Sequence, residues 1–253
     1  MDQAILLQAF ETAMVRSCAP VLLRAKPANL FTFRGNFVSD CPDCPEERCR
    51  LFDAPAGEDD LFASRRRALL QVVSAFDGML ASEGMRCRVI AWRPFGALVY
   101  AYRPSLVARH VSDSSIARDL ARLGYPVFCE ERCEGEATTV GFCSELSDQG
   151  FAEDCMSLCI DHLAIRFCEH AVPHEVGYFL GYPAADVRGF IEHEGRGFLC
   201  FGCWKVYGDV RGAQYRFARY KRCTRRARAL YEAGASLLDL ACEPGSGRAA
   251  YMA

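Results

Sequence analysis

Two segments of this 253-residue chain carry residue types that do chemistry together: Cys18 in Cys18-Ala19-Pro20, and His174 in Pro173-His174-Glu175. A thiolate nucleophile needs a base within reach, and a histidine distant in sequence supplies one when the fold brings the two together. The polar residues of the same and neighbouring segments, Lys26, Asn29 and Lys205, would line and bind at such a site. Glu175 follows His174 directly, but adjacent residues on a helix diverge by about 100°, so it is a poor orienter for that imidazole. The competing reading is a packed thiol and a surface or capping histidine. It carries more weight, because free cysteine is among the most buried residue types.

The chain holds 15 cysteines. An odd number and the lack of a basic, secretory-type start in Met1-Asp2-Gln3-Ala4 argue against a disulfide framework. A reducing cytosol fits better, with most of the cysteines acting as small buried apolar residues. Cys41, Cys44 and Cys49 have the start of a metal knuckle, yet a tetrahedral zinc site wants four ligands and no fourth is evident nearby. Cys155 and Cys159 stand one helical turn apart, which suits a metal or plain packing. Cys200 and Cys203 also have CxxC spacing. On a strand an offset of three points them to opposite faces unless Gly202 forms a bulge. No metal site is assigned; a metal or iron–sulfur cluster held by these sets stays open as the minority reading, and the cofactor is unknown.

A third signal is electrostatic. Arg211, Arg216, Arg219, Lys221, Arg222, Arg225, Arg226 and Arg228 lie within residues 211–228 with no acidic residue among them. Ala213, Phe217, Tyr220, Thr224, Ala227 and Tyr231 recur at four-three spacing and predict the inward face of a helix. The basic residues then cover its outer half. A solvated helix face usually mixes signs, so this one suits an anionic partner, with Arg219, Arg222 and Arg226 facing outward as its binding residues. The net charge of −2 argues against a protein built to coat nucleic acid, although a local patch remains compatible with it. No glycine-rich phosphate loop, zinc-protease motif, nucleophile-elbow serine or kinase signature is present.

These groups must be positioned by a globular fold, and 51% hydrophobic against 25% charged residues is enough for one. No segment reaches about 18 consecutive apolar residues. Hydrophobic spacing predicts a first helix with Ile5, Leu6, Ala9, Phe10, Ala13 and Met14 inward. Extended pieces follow near Pro20 and Pro27, where proline excludes a helix interior. A helix is predicted over 61–83, a hairpin over 85–102 turning at Arg93-Pro94-Phe95-Gly96, and a helix from Pro104 to about residue 123. Two short helices around Gly181-Tyr182-Pro183, a strand over 198–207 and a long helix capped by Asp209 complete the chain. The pattern predicts one α+β domain over 1–253, with cysteine-rich inserts at 35–60 and 127–169. Its mixed, partly antiparallel sheet has about four to five strands covered by helices, with 99–102 and 199–206 central and a helical hairpin over 173–191 before the last strand.

The segments Cys18-Ala19-Pro20 with Lys26-Pro27-Ala28-Asn29-Leu30-Phe31, then Leu98-Val99-Tyr100-Ala101-Tyr102-Arg103, then Pro173 to Ile191 leading into Trp204-Lys205-Val206-Tyr207, together resemble the bacterial domain-of-unknown-function family DUF3793. The resemblance covers roughly residues 1–33, 61–126 and 173–231. The family brings no established activity with it. Its members often sit near flavodoxin-like proteins in anaerobes, so the resemblance implies a flavodoxin-like carrier as the acidic partner. Two functions stay open: a cytosolic accessory module that binds such a partner through 211–228, and a thiol-dependent hydrolase or transferase using Cys18 and His174.

Overall fold

In the computed structural model the uncharged run Gly96–Tyr102 forms strand β3, buried at every position. Strand β1 (Ala28–Arg34) and strand β2 (Arg86–Arg93) pair with it on either side, both antiparallel, giving the order β1-β3-β2. The expected hairpin is β2 and β3, with a bulge between Val89 and Ala91. The described residues are 3–38, 61–126 and 149–242, with side chains from 156 onward in the last stretch. These described residues fall into two compact units, one drawn from within 1–103 and 214–253 and the other from within 104–213.

The sheet belongs to the first unit. Helices α1 (Gln3–Leu22) and α2 (Leu61–Ala81) supply its apolar cover. The ring of Phe10 on α1 meets Phe33 at 5.5 Å and Phe76 of α2 at 5.2 Å. Arg86 at the start of β2 grips Asp77 of α2 with Nε at 2.9 Å and a terminal nitrogen at 2.7 Å, and the Cys87 amide donates to the same carboxylate. The buried stripe of α1 is Leu6, Phe10, Met14 and Cys18, at four-residue steps. Ile5 and Ala9, expected inward, are exposed, because the apolar C-terminal half of the helix sets the stripe one position later. By length and a mean hydropathy of 1.2, α1 could cross a membrane, but half of that window is buried in the protein.

Pro20 lies inside α1, against expectation. It stands in the last turn, where the missing N–H removes one helical bond. Its carbonyl closes the end by accepting from the amides of Ala25 (2.7 Å) and Lys26 (2.9 Å).

The second unit contains α3 (Pro104–Val111), α4 (Ser114–Arg122), α5 (Gln149–Glu169), α6 (Val176–Phe179), α7 (Ala184–Glu192), β4 (Cys200–Phe201) and β5 (Lys205–Val206). The single helix expected over 104–123 is two helices. Asp113 starts a new one by accepting from the Ser115 hydroxyl (2.6 Å) and from the amides of Ser115 and Ile116, and these bonds, the hydroxyl's first, hold its carboxyl below the usual range. The helical hairpin over 173–191 is present as α6 and α7. The central strand expected at 199–206 is instead a two-residue antiparallel ribbon. The Gly202 amide donates to the Trp204 carbonyl at 3.1 Å and turns the chain, while the amides of Tyr207 and Gly208 bond a side chain rather than a neighbouring strand. The fold is α+β, with five short strands among the described residues. Helix α8 (Val210–Glu232) runs on into the first unit, and the Gly212 amide donates to Asp209 as the capping pattern required. A short α9 (Leu237–Ala241), opened by a Ser236–Asp239 capping box, follows.

The residue after β3 is Arg103, 1% exposed. Its guanidinium donates to the carbonyls of Val21 (2.8 Å), Leu22 (2.8 Å), Glu83 (2.6 Å) and Ala241 (3.1 Å). These carbonyls lie at the C-terminal ends of α1 and α9 and in the turn after α2, where helix dipoles gather negative potential. Arg103→Met keeps the bulk and leaves the carbonyls without their donor. It should lower the stability of the first unit by about 3 kcal/mol or more in urea unfolding. Arg103→Lys, which keeps the charge but not the planar fork, should recover only part of that loss.

Candidate functional site

The hairpin and ribbon of the second unit are joined through one buried carboxylate. Asp186, on the first turn of α7, is 2% exposed. One oxygen accepts from the Trp204 indole N–H at 2.7 Å, and the other from the backbone amides of Tyr207 (2.8 Å) and Gly208 (2.9 Å). Charge-assisted bonds of this kind are about twice as strong as neutral ones. They fix Trp204 so that its ring stacks on Tyr182, with centroids 4.8 Å apart and planes 25° from parallel. Tyr182 is placed by Gly181, which adopts φ +77° at the end of α6, a conformation that costs glycine little. Gly189 lets α7 approach the chain after β5, since a Cβ there would fall 2.5 Å from the Tyr207 ring.

Beside this stack lies a cleft of about 340 Å³ whose walls include His174, Tyr182, Phe190, Phe201, Trp204 and Lys205. The His174 ring meets Phe190 edge-on at 5.0 Å. The Lys205 ammonium sits 5.6 Å from the Phe190 ring and 5.1 Å from the Phe198 ring, and donates to the Gly195 carbonyl at 2.7 Å. Glu175 does not serve His174. It is 4% exposed and accepts from Arg166 Nε (2.8 Å) and the Tyr125 hydroxyl (3.3 Å), tying α5 to the hairpin. Burial, reinforced by the Glu175 charge, pushes the Tyr125 hydroxyl pKa upward. Asp119 of α4 plays a similar part, accepting from the Tyr178 hydroxyl (2.6 Å) and Arg188 Nε (2.7 Å).

Cys18, Lys26 and Asn29 belong to the first unit, His174 and Lys205 to the second. Within the first, Lys26 donates to Asn29 Oδ1 at 2.7 Å, and Asn29 Nδ2 donates to the Ser17 carbonyl at 2.8 Å. Cys18 is fully buried, and burial pushes its thiol up to about 12 against a smaller opposing pull from Lys26. Cys87, buried nearby, is raised for the same reason. Of the other described cysteines, Cys159 is buried, Cys168, Cys200, Cys223 and Cys242 are half-buried, and Cys203 is exposed. Cys200 and Cys203 flank a turn, so the opposite-face argument for a continuous strand does not apply to them. Among the described residues no group of three metal-ligating side chains converges. Cys41, Cys44, Cys49 and the side chain of Cys155 lie outside the described residues.

On α8 the sequence reading of the faces holds. Ala213, Phe217, Tyr220 and Ala227 are buried, Thr224 and Tyr231 half-buried, and all eight basic residues of 211–228 are exposed. Arg228 pairs with Glu232 at 2.7 Å. The half-buried Cys223 thiol is raised by desolvation and pulled down by Arg219, Arg222 and Arg226, a local sign of positive potential along the helix.

The fold and these sites define an α+β protein whose second unit is a helical hairpin bound to a β-ribbon by a buried aspartate. The chain belongs to the family described as Protein of unknown function (DUF3793), whose model matches residues 14–134 and 136–241. The match runs through the cysteine-rich stretches 35–60 and, apart from residue 135, 127–169, which differ in composition from the rest of the chain. No curated protein and no solved structure matches it.

Asp186→Ala leaves an indole N–H and two amides without an acceptor. It should destabilise the second unit by about 2–4 kcal/mol, with loss of the Trp204 near-ultraviolet dichroism. Alkylation of the native protein at pH 8 should label exposed Cys203 well before Cys18, whose thiol stays protonated there. Mass mapping of a time course reads the order directly.

Proposed function

We propose that the chain is an accessory binding module that docks an acidic protein through the outer face of α8, with a flavodoxin-like electron carrier as the partner and the bacterial cytosol as the place. The observation that carries this reading is the exposure of all eight basic residues of 211–228 on one helix. Among the described residues Arg228 is the only one of the eight with an ion-pair partner, Glu232. Seven cationic side chains held at the surface by a packed apolar stripe form a fixed field, and such a field steers an acidic partner and sets its register. Among the described cysteines all but Cys203 are buried or half-buried, as small apolar side chains are, which suits a reducing compartment.

The thiol-enzyme reading ranks second. A nucleophilic cysteine needs a lowered pKa and access to substrate, whereas Cys18 has a thiol pushed up to about 12 and no exposed surface.

Docking of this kind is salt-dependent, because exposed charges are screened over about 8–10 Å at physiological ionic strength. Titration with a flavodoxin should give binding that weakens by about tenfold or more between 20 mM and 300 mM salt. Replacing Arg219, Arg222 and Arg226 with Glu should abolish it with the far-ultraviolet dichroism unchanged, since none of the three is buried. Binding that survives the reversal, or that nucleic acid displaces more effectively than the acidic protein, would overturn the reading.

A further inference from the structure

The cleft of the second unit combines features that docking through α8 leaves unused. Its volume of about 340 Å³ lies at the lower end of the range for small-molecule sites, about 300–1,000 Å³. One wall is the Tyr182–Trp204 stack, held rigid because the indole N–H is bound to buried Asp186. At the rim Phe201 is 73% exposed, an apolar ring that gains burial if something covers it. The polar groups of the cleft are few and distinct. Asp186 has its two oxygens engaged by three donors, so it offers little to a ligand. Lys205 uses one of its three N–H groups on the Gly195 carbonyl and is otherwise packed over two phenyl rings. His174 is exposed and touches the same Phe190 ring, so both nitrogen-bearing side chains border that ring in the lining of one cleft.

These observations decide the charge of the ligand. An aromatic cleft can attract a cation through ring faces, but here the ring faces of Phe190 and Phe198 already carry the Lys205 ammonium, which would repel a second cation. An anion meets the reverse situation: an ammonium with N–H groups to spare and an imidazole, in surroundings of low polarity that strengthen the attraction. We propose that this cleft binds a small planar aromatic anion, with its rings against the Tyr182–Trp204 wall and under Phe201, and its anionic group between Lys205 Nζ and His174.

The test uses the full chain and two dyes of similar shape, anilinonaphthalene sulfonate, which is anionic, and N-phenylnaphthylamine, which is neutral. The sulfonate should bind at one saturable site, detected by its fluorescence gain and by quenching of Trp204. Lys205→Gln should weaken that site about tenfold while changing the neutral dye less than about twofold, and His174→Gln, at an exposed position, should weaken the sulfonate in the same direction. Far-ultraviolet dichroism checks that each variant is folded. Replacing Arg219, Arg222 and Arg226 with Glu should leave sulfonate binding unaltered, which separates this site from α8 and lets it stand if docking fails. Three results overturn the proposal: no saturable binding, equal binding to wild type and both cleft variants, or loss of binding on reversing the three arginines.

Discussion

A buried guanidinium is costly unless its hydrogen bonds are met and negative potential surrounds it. Arg103 satisfies that constraint with four backbone carbonyls, and the arrangement of the first unit follows from it. The ends of α1 and α9 and the turn beyond α2 must converge on the point where β3 leaves the sheet. Once they do, Pro20 near the end of α1 is no defect, because the helix has to stop there for its last carbonyls to turn toward Arg103. The Lys26–Asn29–Ser17 bonds hold the chain leaving that end, and β1 starts two residues after Lys26 in register with β3.

The second unit uses the opposite charge for the same purpose. Asp186 gathers donors from the ribbon, and Glu175 gathers an arginine and a tyrosine from elsewhere in the unit. A buried carboxylate bound to backbone amides sets the path of a segment that has too few strand residues to hold itself, and the ribbon of two-residue strands is such a segment. What this gives is a rigid aromatic wall in a region with little regular structure. The acids of the 173–191 motif are therefore architectural, while its exposed members, His174 above all, are the ones free to meet a ligand.

How far the sequence could be read depends on whether the determining interaction was local. The strand 96–102 was legible because an uncharged run bounded by a Pro-Phe-Gly turn has few other uses. The two faces of α8 were legible because four-three spacing separates them without reference to any other element. The hairpin around Gly181 was legible because glycine followed shortly by proline both ends one helix and opens the next. The strand expected over 198–207 failed because the chain turns back at Gly202 and the amides of Tyr207 and Gly208 at its end go to Asp186, about twenty residues away, which no local pattern announces. The break at Ser112-Asp113 was missed although Asp is a strong cap, since the apolar spacing continued across it. For the candidate sites, a packed Cys18 and a surface His174 were the weightier sequence reading and are what the structure holds, but the burial of Lys26 and the division of these residues between two units were not legible. Asp186 and Arg103 look like ordinary surface charges when only their neighbours in sequence are considered.

The first unit is assembled from two stretches of chain that flank the second. During synthesis residues 104–213 are a continuous stretch, so they can condense as soon as they have emerged, in keeping with the tendency of domains to fold as units. The sheet of β1, β2 and β3 is made earlier but must wait, because Arg103 lacks the Ala241 carbonyl, 138 residues onward, and the core lacks Ala227, Leu237 and Leu240. Closing so long a loop carries an entropic cost that slows folding, and prior condensation of the intervening stretch shortens the effective span to be closed. Until α8 and α9 arrive, the part of the core that Ala227, Leu237, Leu240 and Ala241 complete lies open in the nascent chain, which makes the late C-terminal helices the step that seals it.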